Sequence, residues 1–137
     1  MRNNIPGLFL IALFSVACTS SPDEVKFQRY RVAGERLYAT HCVACHMADG
    51  SGFKKLYPPL TGHDFLTEQF EKTLCTIRFG SNDSLTINNV QYTLPMPDLK
   101  LTNLETAEIA TFLYNSWGLE KGLIGVNEVA EITKRCE

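Results

Sequence analysis

Five consecutive residues, Cys42-Val43-Ala44-Cys45-His46, place two thiols three positions apart with an imidazole directly after the second. Thiols at that spacing can add across the two vinyl groups of a haem, and the histidine that follows is then set against the iron as a ligand. The same pair could serve as half of a zinc site or as a dithiol redox centre. Zinc would need two more Cys or His ligands at similarly close spacing, and a thioredoxin-like centre would need a βαβ pattern around the pair. Neither context is visible, so covalent haem attachment is the chemistry expected of Cys42, Cys45 and His46.

Two proline-rich stretches could serve such a group. In Tyr57-Pro58-Pro59-Leu60 the two prolines exclude a helix and leave an extended, stiff segment whose carbonyls are free to accept. A metal-bound histidine nearly always donates its other ring nitrogen to an acceptor of this kind, and the Pro58 carbonyl is the partner expected for His46. In Leu94-Pro95-Met96-Pro97 a methionine sits between two prolines, held in an extended loop that suits a fixed ligand.

The chain that must position these residues is 137 residues long, 45% hydrophobic and 20% charged, which fits one small domain. Its formal net charge of −2 gives no argument for a nucleic-acid partner. Residues 1–17 hold one positive residue, Arg2, and an apolar run too short to span a membrane, the shape of a secretory signal. Ser15-Val16-Ala17-Cys18 resembles a bacterial lipobox with serine where leucine is usual. Acylation of Cys18 would anchor the protein to a membrane through a tether over residues 18–25, whereas ordinary cleavage a few residues later would give a soluble periplasmic form. The folded domain is then expected over residues 26–137.

If Cys18 carries lipid and Cys42 and Cys45 carry haem, Cys75 and Cys136 remain. An even remainder in an exported protein points to a disulfide, worth about 4 kcal/mol in the chain-entropy model for a loop of this length. Two unrelated buried thiols are the alternative.

Apolar residues at intervals of three and four predict a helix over residues 25–40, with Gly34 inside its buried face, and a second over 66–79 that Gly80 ends. Residues 84–93, β-branched around Asn88-Asn89, read as a small hairpin. Thr102-Asn103-Leu104-Glu105 has the form of a capping box opening a helix with Ile109, Phe112, Leu113 and Trp117 on one face. A short helix is expected over residues 127–135.

Taken together, residues 27–118 resemble a bacterial class I, single-haem c-type cytochrome. Cys42 and Cys45 match the thioether cysteines, His46 the proximal ligand and Met96 the distal sulfur ligand. Pro58 and Leu60 match the Pro-x-Leu segment under the haem. Tyr92, with the residues up to Pro97, is similar to the tyrosine-to-methionine approach of bacterial members. Gly34 and Tyr38 match the glycine and aromatic of the first helix where it crosses the last, and Ile109 and Phe112 match their partners. The resemblance implies an all-α cytochrome c fold around one covalent haem c, with the hairpin before Met96 as a variation. Met47 departs from it, standing where glycine often follows the histidine, and the extension over residues 119–137 lies outside the family core.

For the sixth iron position Met47 is too close to His46 to reach the opposite face, and His41 is tied to the same side as Cys42. His63, in the turn after Leu60, is the rival to Met96. Histidine and thioether on opposite faces leave the iron no open position, and this pairing raises the potential relative to two nitrogen ligands. The resemblance therefore implies a one-electron carrier between periplasmic or membrane redox proteins, not a catalyst. Two other expectations stand beside it: a haem subunit of a dehydrogenase or terminal reductase complex, and a haem sensor or enzyme from whose iron Met96 is displaced.

Overall fold

The structure, a computed structural model, describes residues 21–62 and 65–136. The expected signal segment, Cys18 and His63 lie outside the described residues.

Helix α1 spans Pro22–His41. The Ser21 hydroxyl accepts the N–H of Glu24 at 3.2 Å, Pro22 sits where a missing donor costs nothing, and Asp23 and Glu24 complement the helix dipole. These cues start the helix early, so residues 22–24, read from the sequence as tether, are helical. Helix α2, Val43–His46, carries the haem motif. The single helix expected over residues 66–79 is broken: α3 covers Phe65–Glu68, α4 covers Phe70–Phe79, and Gln69 between them leaves the helical region at φ −116° and ψ 45°. Gly80, at φ +76°, ends α4.

Strands β1, Leu85–Ile87, and β2, Val90–Tyr92, form an antiparallel hairpin with Leu85 opposite Tyr92. Asn88 and Asn89 turn it with φ of +50° and +60°, the double left-handed turn that asparagine tolerates best among non-glycine residues. Helix α5, Asn103–Leu113, opens with a complete capping box. The Thr102 hydroxyl accepts the Glu105 N–H at 3.2 Å, and the Glu105 carboxylate accepts the Thr102 N–H at 2.7 Å. Helix α6 is Val126–Thr133. Among the described residues no helix is long and apolar enough to cross a membrane.

The core forms where α1 crosses α5. Gly34 and Tyr38 are the buried residues of α1. A Cβ on Gly34 would collide with the Glu108 carbonyl and with Cβ of Phe112, so glycine is what lets the two backbones approach. Tyr38 packs against Phe112 and Trp117 with ring centroids 5.3 and 5.7 Å away. Its hydroxyl donates to the Met47 carbonyl at 2.7 Å, linking the helix crossing to the end of the haem motif. Burial, reinforced by Cys42 and Asp49, raises the pKa of this phenol, which keeps it protonated as a donor.

The chain after Leu113 folds back over α4 and α5. Asn115 donates to the carbonyls of Thr111 and Gly122 at 2.7 and 2.8 Å and accepts the Gly122 N–H at 2.7 Å. Ile124, Val129 and Ile132 are buried in the same core as Leu74 and Ile109. Cys75 of α4 and Cys136 are joined by a disulfide, with Cα atoms 5.8 Å apart.

Candidate haem site

The haem motif begins where α1 ends. The Cys42 N–H caps α1 by donating to Tyr38 at 2.9 Å, and its carbonyl accepts the N–H of His46 at 2.8 Å in the single turn of α2. That turn brings Cys42, Cys45 and His46 to one side. Met47 then takes φ +61° and ψ 162°, a region that essentially only glycine occupies without strain. This suits the glycine that the resemblance leads one to expect here and marks Met47 as a strained residue.

His46 Nδ1 lies 3.0 Å from the Pro58 carbonyl oxygen. A carbonyl can only accept, so Nδ1 carries the proton and Nε2 keeps its lone pair. Burial holds His46 below the usual imidazole range, against the opposing pull of the Pro58 carbonyl, and the neutral ring is the form that binds a metal. Leu60 is fixed beside it by donating its N–H to the Gly50 carbonyl at 2.7 Å. Cys42 is buried and Cys45 half-buried, and they are not bridged to each other. Burial, and then the neighbouring Cys45, pushes the Cys42 thiol up to about 11.

His46, Pro58, Phe65, Thr76, Leu85 and Met96 line two adjoining chambers of about 710 and about 670 Å³, counting space open to solvent. Cys45 and Tyr92 border the outer chamber; Cys42, Leu60, Ile77, Ile109 and Leu113 border the deeper one. This is the size and apolar character of a small-molecule or cofactor site.

Met96 reaches the cavity from the loop after β2, and its backbone is paired with Ser81. The Ser81 N–H donates to the Met96 carbonyl at 2.9 Å, and the Met96 N–H donates to Ser81 at 2.8 Å. Sequence reasoning missed Ser81, because the pairing is made entirely by backbone and nothing in the residue type announces it. Among the described residues no group of three or more His, Cys, Asp or Glu side chains is placed to hold a metal ion.

These residues fit a haem. The apolar chambers would take the macrocycle, Cys42 and Cys45 would hold it covalently, His46 offers its free Nε2, and Met96 offers a thioether from a different segment. The cytochrome c family model matches residues 32–117, and the chain belongs to the cytochrome c family. It is a haem c protein of electron transfer with the family's helical fold.

Among its relatives, the cytochrome c subunit of the quinone alcohol dehydrogenase of Gluconobacter oxydans is 28% identical over 88 residues, 63% of this chain and 18% of that protein. The corresponding subunit of Komagataeibacter europaeus is 26% identical over 105 residues, 75% of this chain and 22% of that protein. Cytochrome c-552 of Thermus thermophilus is 26% identical over 97 residues, 67% of this chain and 73% of that protein. The chain thus spans about a fifth of the length of the dehydrogenase subunits it matches.

Proposed function

We propose that the protein is a one-electron carrier of the periplasm whose iron is held between His46 Nε2 and the Met96 thioether. The observation that carries this reading is that both side chains line the same two chambers, from separately fixed backbones. The haem, when bound, supplies an iron that takes up and releases a single electron. His46 would supply a neutral imidazole oriented by Pro58, and Met96 would supply a thioether that leaves the iron without a place for substrate. Cys42 and Cys45 would keep the group attached during exchange with partner redox proteins, so that the protein acts as a carrier between them. Acylation at Cys18 would hold the domain at a membrane.

The test is the absorption spectrum of the exported protein, with a denaturing haem stain beside it. Haem that stays with the denatured chain, and the weak far-red band of ferric iron bound to thioether sulfur, are the expected results. Covalent haem without that band would overturn Met96 ligation in favour of His63 or an open position. In that case rapid binding of carbon monoxide would indicate a sensor or enzyme.

The dehydrogenase subunits among the relatives favour a second reading, in which the protein serves as the haem-bearing subunit of a dehydrogenase complex. Copurification of the tagged protein with a larger redox protein would support it. A clean monomer would support a mobile shuttle.

A further inference from the structure

The extension over residues 119–136 is outside the family core, yet it is bonded to the wall of the haem cavity. Helix α4 turns Thr73, Thr76 and Ile77 toward the deeper chamber. It is tied to the extension by the Cys75–Cys136 disulfide and by Arg135 Nη2, which donates to Glu71 at 2.8 Å. The extension is in turn fixed to α5: the Ile124 N–H donates to the Thr111 hydroxyl at 3.1 Å, and Asn115 grips Gly122.

The other end of α4 leads directly to Met96. Gly80 closes the helix, and Ser81, the next residue, makes both backbone hydrogen bonds to Met96. Gly80 is so close to this loop that a Cβ there would collide with the Met96 carbonyl and the backbone of Pro97 and Asp98. The Met96 backbone therefore cannot draw back from the cavity without breaking from the end of α4 or carrying it along, and this fixes the point from which the thioether reaches in. Whatever holds α4 against α5 also holds the methionine.

We propose that the extension and its disulfide form a brace that positions Met96, keeping the sulfur at the iron and the sixth position closed. Cys75, Cys136 and Ser81 are positioning residues acting through α4. The proposal rests on the reading of Met96 as the distal ligand.

The experiment follows the displacement of the thioether from the ferric holoprotein by imidazole, read as the loss of the far-red band. Three samples are compared: the unsubstituted protein, the double variant Cys75→Ala with Cys136→Ala, and the unsubstituted protein with its disulfide cleaved by a phosphine, both thiols alkylated and its iron returned to the ferric state. The third sample serves if the double variant does not accumulate. A displacement rate at least fivefold faster without the disulfide supports the brace. A smaller change overturns it, even where the melting temperature falls, since the bridge then adds stability without positioning the ligand. Absence of the far-red band from the unsubstituted protein is a different failure: it overturns the ligation reading, and the brace with it.

Discussion

Gly34 of α1 lies against the backbone carbonyl of Glu108 on α5, with no room for a methyl group between them. Exchanging Gly34 for alanine adds helix propensity worth about 1 kcal/mol, but forces the two helices apart. Overpacking of this kind costs typically 1–3 kcal/mol, and here the obstacle is backbone, which cannot rotate away. Gly34→Ala is expected to destabilise the holoprotein by about 2 kcal/mol or more in a denaturant titration. A neutral result would show that the crossing tolerates separation.

Met47 offers the opposite sign. Its backbone sits in a region that costs a non-glycine residue about 1–3 kcal/mol, and glycine would remove that strain while adding entropy to the unfolded chain. Met47→Gly is expected to raise stability by about 1 kcal/mol, with the absorption spectrum unchanged because Tyr38 bonds the backbone carbonyl and not the side chain. A loss of stability would mean that the methionine side chain packs more favourably than its backbone is strained.

The start of α5 titrates. The Thr102 N–H first, then its hydroxyl, with help from His41 and Arg78, hold the Glu105 carboxyl below its usual range. A carboxylate with a depressed folded value contributes stability that is present above its ordinary pKa and is lost as pH falls through the lowered value. Glu105→Gln is therefore expected to destabilise the protein near neutrality and to flatten the acid limb of its stability curve below about pH 5. Thr102→Ala, which leaves the backbone N–H in place, should cost about 1 kcal/mol and only reduce that pH dependence. Equal acid limbs in all three proteins would remove Glu105 from the account.

Asn115 joins the end of α5 to the turn at Gly122 by three hydrogen bonds from one side chain. Truncation leaves a backbone N–H and two carbonyls without their partner, and Asn115→Ala should cost about 2 kcal/mol. Faster hydrogen exchange confined to residues 119–136 would locate the effect. Uniform acceleration across the molecule would instead show that the extension unfolds only with the core.

Much of the site was legible because its chemistry is local in sequence. The thiols and imidazole of residues 42–46 form a single turn, the Pro58 carbonyl could be anticipated from two adjacent prolines, and Thr102 with Glu105 is a cap readable from spacing alone. The Asn88-Asn89 turn was likewise written in residue type. What escaped reading lies in backbone geometry. No side chain at Gln69 signals the break between α3 and α4, and Ser81 meets Met96 through groups every residue possesses. The start of α1 was misplaced for another reason: Ser21-Pro22-Asp23-Glu24 is polar enough to read as a tether, although serine as cap, proline at the first turn and two carboxylates after it also describe a helix N-terminus.

The helix crossing also sets an order of events in a chain delivered from its N-terminus. Cys42 is buried in a cluster that includes Ile109 and Leu113, so its shielding depends on residues that arrive more than sixty positions later. Until α5 has emerged, the part of the cover over Cys42 that Ile109 and Leu113 supply is missing, and its thiol is more open than in the folded protein. Once α5 docks, Cys42 is buried while Cys45 stays half-buried. A nascent chain stopped before Asn103 should accordingly leave both Cys42 and Cys45 open to alkylation, whereas protection of Cys42 at that length would show that an earlier contact seals it.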